Sequence, residues 1–320
     1  MAMQSAARPA GPHLGWWGPE TGFTVSLREL VALDGWTAGL RLPPVRRVRS
    51  QQAGGYRSPF RGRGMEFAEV RAYVPGDDVR SIDWKVTARR GRTHTKLFHE
   101  ERDRPVLVFA DLRPAMRFGS QLAFKSVAAA RLAALAGWVA LGQGDRIGGL
   151  VVDGSGHREL PPRRDRRQLL RLLHALAAGT ADPGKAGEPL HRALRRLRRV
   201  ARPGSLVLLL SDFHDLDAAA RDELVRLGRH AEGIAFLVHD PLEAAAPRPG
   251  RYRVTDGQGG LAVLRADDAR WRRGFEALFA ERRQALADAC RSGGLHLAEL
   301  STADDPVQVL AGRNQTGRLS

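Results

Sequence analysis

The chain has 320 residues, 43% hydrophobic and 27% charged, which suits one large core or two modest ones and excludes collagenous and wholly disordered chains. Its single cysteine, Cys290, excludes an internal disulfide and any cysteine-ligated zinc or iron–sulfur site, as expected of a reducing compartment. Fifty-one Lys and Arg against 35 Asp and Glu give a net charge of +16, yet only Lys85, Lys96, Lys125 and Lys185 are lysines, an arginine bias that a GC-rich genome gives whatever the protein binds.

Residues 1–24 are rich in Gly, Pro and Ala without periodicity and are expected to form a disordered tail. They hold no apolar stretch like that of a secretory signal, and no segment nears the roughly 20 continuous apolar residues of a membrane helix. The expectation is a cytoplasmic protein without a membrane span. Leu27, Leu30, Val31 and Leu33 suggest a short helix, and the Gly/Arg-rich run Gln51 to Gly64 suggests a loop. Met65 to Val74 alternates and reads as extended, Pro75–Gly76 is a turn, and Asp77 or Asp78 is placed to cap a helical turn reaching Asp83. Thr93 to Arg102 is extended again. Residues 25–104 are thus expected to form a small strand-rich module.

From Pro105 the texture changes. Pro105 to Asp111 and Ser205 to Asp212 are continuous apolar runs that end in aspartate, the pattern of strands buried on both faces. Leu122 to Leu141 reads as a long Ala/Leu helix, and Gly142 and Gly144 as its stop. Asp153-Gly154-Ser155-Gly156 reads as a hairpin between two further strands, with Ser155 exposed at its tip. Helical patterns cover Arg164 to Ala177, Pro189 to Val200, Leu216 to His230 and Asp267 to Arg291, with strands at Gly233 to His239 and Leu295 to Leu300. The dense Arg163–Arg167 and Arg195–Arg199 runs read as solvated helix faces, which makes nucleic acid the weaker expectation; anionic lipid or acidic protein surfaces would match the same charge. Strands alternating with helices predict an α/β domain over residues 105–312, a doubly wound, mostly parallel sheet, followed by a tail at 313–320.

Ligands of such sheets bind beyond the carboxyl ends of the strands. Asp111 and Asp212 end two of them, and Thr180 lies between in sequence. This order resembles the metal-ion-dependent adhesion site of von Willebrand A domains, where an Asp-x-Ser-x-Ser run, a Thr and a later Asp hold magnesium. Here Arg113 and Ala115 stand in place of both serines, so a degenerate site is expected: no cofactor, magnesium being the less favoured alternative. The guanidinium of Arg113 is expected to pair with Asp111 or Asp212 and stand in for the ion. Asp215 is read as the cap of the next helix and His214 as a loop residue, with a rescue metal site formed by the two as the less favoured alternative. No nucleophile elbow or Walker loop occurs, Cys290 reads as a small core residue, and the chain is expected not to be an enzyme.

The densest pattern lies between Gly62 and Glu101. Gly64-Met65-Glu66-Phe67, Arg71-Ala72-Tyr73, Pro75-Gly76-Asp77-Asp78-Val79-Arg80, Ile82-Asp83-Trp84 and Thr87-Ala88-Arg89 are followed by Lys96, Phe98 and Glu100. With the strand aspartates, His239-Asp240-Pro241-Leu242-Glu243 and Gly250-x-Tyr252, this series resembles the hallmark of the bacterial domain-of-unknown-function family fifty-eight, in its soluble branch, over residues 25–312. The resemblance implies a von Willebrand A-like sheet domain and a partnership with MoxR-type AAA+ ATPases and other von Willebrand A proteins, in protein or complex maturation. Arg71, Tyr73, Asp77, Asp78, Arg80, Asp83, Trp84, Arg89, Lys96 and Glu100 are read either as an internal charge network or as a docking face with Trp84 and the arginines at its centre. The leading expectation is an adaptor. A magnesium-dependent adhesion-type binder and a basic nucleic-acid-binding protein are the alternatives.

Overall fold

A computed structural model describes residues 22–43, 65–73, 82–100, 104–181, 184, 187–255 and 260–312. The chain divides into two units, one of residues 1–46 and 104–320 and one of residues 47–103.

The elements of the chain run α1 (Leu27–Ala32, continued by a 3-10 turn, Leu33–Trp36), β1 (Met65–Ala72), α2 (Trp84–Arg90), β2 (His94–Glu100), β3 (Pro105–Asp111), α3 (Lys125–Gly142), β4 (Arg146–Val152), β5 (His157–Arg163), α4 (Arg166–Ala181), α5 (Leu190–Val200), β6 (Leu206–Ser211), α6 (Ala218–His230), β7 (Glu232–His239), α7 (Pro241–Ala244), β8 (Arg251–Thr255), β9 (Leu261–Arg265), α8 (Ala269–Gly293), β10 (His296–Ser301) and α9 (Pro306–Leu310). Six strands form one sheet in the order β10-β7-β6-β3-β4-β5, all parallel except the edge strand β5. Counted along the chain from β3, that is the doubly wound order 3-2-1-4-5-6, in which the connections from β3 run to one edge of the sheet and those from β6 to the other. The expected fold class is the observed one.

Side-chain alternation explains the continuous apolar runs. Val106, Val108 and Ala110 of β3, with Leu206, Leu208 and Leu210 of β6, bury against one layer with α1, α3 and α4. Leu107 and Phe109, with Val207 and Leu209, bury against the other with α5, α6 and α8. A strand covered on both faces has no polar side to show. Cys290 of α8 lies in the second layer, 2% exposed, and burial pushes its thiol up to about 12. It is a core residue, not a nucleophile.

α3 is buried along nearly its whole length, from Lys125 to Ala140, because the segment 22–43 covers its outer side. Alanines let the helix sit close to both neighbours. Trp138 Nε1 donates to the Leu30 carbonyl at 3.0 Å, the buried Arg131 donates through Nε to Glu29 at 2.7 Å, and Leu42 N donates to Gln143 Oε1 at 3.1 Å. Residues 25–43 therefore belong to the sheet unit, which corrects their expected place in the small module: Leu30, Leu33 and Leu42 complete the core over α3. The expected tail at 1–24 lies outside the described residues up to 21; Gly22 accepts a bond from Phe124 N at 2.8 Å. Arg104 bonds the Pro43 carbonyl, so the chain leaves the sheet unit and returns to it at one place.

In the second unit β1 and β2 pair antiparallel, with α2 between them in sequence. Outside the element reading lie the hairpin β8–β9, the short helices α2, α7 and α9, and the last turn of α4, which continues past Ala177 to Ala181. Among the described residues no helix is long and apolar enough to cross a membrane.

The arm's contribution is measurable. Leu30 is fully buried, so Leu30→Ala should lower unfolding free energy by about 2–5 kcal/mol in urea titrations; an unchanged midpoint would mean that the arm does not pack on α3.

Candidate functional site

β3 and β6 are neighbours whose connections turn opposite ways, so a crevice opens at their carboxyl ends. Asp111, fully buried, ends β3 there. Its Oδ1 accepts from Arg113 N at 3.2 Å and Nε at 2.9 Å, and its Oδ2 from Arg113 Nη2 at 2.8 Å and Ser211 Oγ at 2.7 Å. Arg113 continues outward. Nη2 donates to Asp215 Oδ1 at 2.9 Å, and Nη1 to Asp215 Oδ2 at 2.8 Å and to the Glu188 carbonyl at 3.0 Å. All five N–H donors of the guanidinium are thereby used.

The backbone is shaped for this clasp. Phe213 adopts a left-handed conformation, φ 48°, with its ring in the core and its N–H donating to Ser211 Oγ at 3.0 Å. That turn brings Asp215 back over Arg113. A Cβ at Gly187 would lie 2.4 Å from Arg113 Cγ and Cδ, so glycine leaves the room the arginine stem occupies. Burial opposes the charge on Arg113, but bonds and charges from Asp111 and Asp215 outweigh it and raise the pKa. Burial likewise pushes Asp215 up, yet Arg113 and the Leu190 N–H hold its carboxyl below the usual range.

Asp212, the second strand-end carboxylate, has a different cation. Lys125 Nζ donates to Asp212 Oδ2 at 2.7 Å and to Glu243 Oε1 at 2.9 Å, with the lysine and Asp212 both buried. Beside them Asp240 accepts from Ser120 N at 2.8 Å, Leu242 N at 2.9 Å and Thr302 Oγ1 at 2.6 Å. Burial alone would raise the Asp240 pKa; Ser120, Thr302 and the backbone donors lower it.

The expected pairing of Arg113 thus holds for Asp111 and not for Asp212. Asp215 does not cap the next helix: Asp217 caps α6, accepting from Ala220 N at 2.7 Å, and Asp215 belongs to the arginine clasp. Thr180 is withdrawn from the crevice. Because α4 continues to Ala181, its hydroxyl donates to the Ala177 carbonyl at 2.9 Å and accepts from Val25 N at 3.1 Å. Ala115 is exposed and has no ligating atom. A hard divalent ion needs open oxygen donors. Here Asp111 is saturated, both serines are missing and Thr180 is turned away, so this donor set does not fit magnesium. Among the described residues no group of three or more His, Cys, Asp or Glu side chains is placed to hold a metal. Ser155 is exposed, and its hydroxyl donates to Asp153 Oδ1 at 2.7 Å, an ordinary hairpin bond.

In the second unit Asp83 caps α2, accepting from Lys85 N at 3.0 Å and Val86 N at 3.1 Å; the turn expected from Asp77 or Asp78 onward lies outside the described residues up to 81. Trp84 is 68% exposed and Arg89 is exposed. Tyr73 N donates to the Thr93 carbonyl at 2.8 Å. Arg71 and Lys96 lie one pair apart on β1 and β2, with Glu100 at the far end of β2. Asp77, Asp78 and Arg80 lie outside the described residues, as do the side chains of Arg71, Lys96 and Glu100. Lys125, Ser211 and Glu243 were not among the expected site residues, and Asp215 was singled out but not as a partner of Arg113; Lys125 stands out as one of four lysines, at the head of an alanine helix, and Glu243 as the end of the His239–Glu243 run.

The sequence profile of a family described as "Protein of unknown function DUF58" matches residues 69–285. An uncharacterised protein of Mycobacterium tuberculosis, Rv1480, is 30% identical over 244 residues, 76% of this chain and 77% of its own. The uncharacterised YeaD of Bacillus subtilis is 30% identical over 128 residues, 40% of this chain and 29% of its own. Among solved structures, the conserved hypothetical protein BatB of Bacteroides thetaiotaomicron aligns over 66% of this chain and 96% of its own, with 14% identity and a TM-score of 0.42.

Two outcomes test the clasp and the neighbouring Asp240 cluster. Arg113→Met leaves Asp111 buried without its cation and should cost about 3–5 kcal/mol in chemical denaturation. Asp240 has a depressed folded pKa, so its stabilisation is present above the unfolded value of about 3.9 and is lost as pH falls through the folded one. Asp240→Asn should therefore flatten the acid limb of stability below about pH 4; an unchanged limb would remove Asp240 from the acid response.

Proposed function

We propose that the chain, which belongs to the DUF58 family, is a non-enzymatic adaptor whose von Willebrand A-like sheet domain makes its contacts through protein surfaces and not through a captured ion. The observation that carries this reading is the clasp: at the position where an adhesion-type site would seat a cation, Arg113 is a permanent one with every donor already bonded. Lys125 does the same for Asp212. A site whose charges are matched internally offers little to a substrate, and the Ser211 hydroxyl on Asp111 is buried with it.

The contact surface then lies elsewhere, and Trp84 is the leading candidate. An indole 68% exposed at the start of a helix, with Arg89 exposed on the same helix, has the composition of an interface centre. The partner assigned by this reading is a MoxR-type AAA+ ATPase; the support is the resemblance carried by Arg71, Tyr73, Asp83, Trp84 and Arg89. The reading places the protein in the cytoplasm and needs neither a cofactor nor nucleic acid.

A pull-down at physiological salt tests it. Wild type should capture a MoxR-type ATPase from a lysate of the source organism equally with and without EDTA. Trp84→Ala should fold normally by circular dichroism and capture at least tenfold less. Failure of wild type to capture the ATPase, full capture by the folded variant, or abolition by EDTA would each refute the proposal.

A further inference from the structure

On the layer of the sheet formed by α5 and α6, Glu223 is 2% exposed and lies among three guanidinium groups. Arg195 Nε donates to its Oε1 at 3.1 Å, Arg198 Nε to its Oε2 at 3.0 Å, and Arg226 Nη1 to its Oε1 at 3.4 Å. The mode of pairing matters more than the count. Arg195 and Arg198 hold the carboxylate through Nε, and the terminal nitrogens of both carry no partner among the described residues, leaving each fork unsatisfied there. The three arginine side chains are 49%, 34% and 59% exposed, so the forks face solvent. Arg192 and Arg199, exposed on the same helix, flank the cluster. Burial alone would raise the pKa of Glu223, but Arg198 and Arg195 hold it low, and the carboxylate stays ionised as the anchor of the cluster.

Three guanidinium charges around one carboxylate leave two positive charges in a compact, pre-ordered patch. We propose that this patch docks a phosphorylated segment of a partner protein, with the phosphoryl oxygens received by the free forks of Arg195 and Arg198. A phosphoryl monoester carries close to two negative charges and three acceptor oxygens, which match the charge and the converging donors better than one carboxylate does. A duplex backbone presents single charges spaced along a track and would call for a basic stripe, not a focus. A membrane surface would call for apolar anchors beside the arginines, and α5 and α6 expose no large apolar side chain. This goes beyond the adaptor reading and does not need the ATPase.

The test uses the full chain at 0.15 M salt and a labelled degenerate peptide pool centred on phosphoserine, with the unphosphorylated pool beside it. The phosphorylated pool should bind at least tenfold tighter than its twin. Binding should weaken at least tenfold in the Arg195→Ala/Arg198→Ala variant. It should also weaken at least fivefold in Arg195→Lys/Arg198→Lys, which keeps the charges around Glu223 and so preserves folding while removing the forks. No binding of the phosphorylated pool, equal binding of the twin, or variants that bind like wild type would overturn the proposal. Tighter, variant-sensitive binding of random duplex DNA or of phosphatidic acid vesicles would overturn it in favour of those occupants.

Discussion

A buried guanidinium that uses all five of its donors is the constraint on which the upper edge of the sheet depends. Arg113 ties the end of β3 to the loop after β6 through Asp111 and Asp215, and ties both to the approach of α5 through the Glu188 carbonyl. Three connections that would otherwise be independent become one piece. Removing either charge would leave the other desolvated, which is why such a set persists once formed. Ser211 completes the saturation of Asp111 and also holds the Phe213 amide, so the left-handed turn and the ion cluster support each other.

The sheet was legible because its physics is written residue by residue. Strands covered on both sides must be apolar throughout, and β3 and β6 are; their aspartates mark where cover ends and the crevice begins. The arm was misassigned because Leu30, Leu33 and Leu42 give no sign of which core they join. That follows only from the outer face of α3, whose alanines are apolar all round and so demand a cover. The β8–β9 hairpin escaped notice because each strand is only five residues long, Arg251–Thr255 and Leu261–Arg265, too short for a sustained pattern.

The site was half legible for a similar reason. Strand-end carboxylates and a nearby arginine could be named, but not which carboxylate the arginine would reach. That choice rests on Phe213, a residue with no sequence preference for a positive φ. Thr180 was misplaced because the helical pattern was followed only to Ala177, short of the end of α4 at Ala181. In the fold Gly179 stays helical, and a Cβ there would lie 2.7 Å from Leu112, so the glycine serves close packing of α4. Lys125 and Glu243 meet across more than a hundred residues, so no local pattern shows that the two pair.

The protein uses one residue type in two opposite ways, and the difference separates structure from recognition. Arg113 turns its terminal nitrogens inward, onto Asp215 and a carbonyl, and is 9% exposed. Arg195 and Arg198 turn only Nε inward, onto Glu223, and leave the terminal nitrogens to solvent. A guanidinium that is satisfied has no further hydrogen-bonding capacity, whereas one anchored through Nε is both ordered and unsatisfied, and loses less freedom when it meets an anion. Net charge alone could not make this distinction. Most of the 51 basic residues contribute a general positive field, but only side chains held in place with donors unused can convert that field into a directed contact.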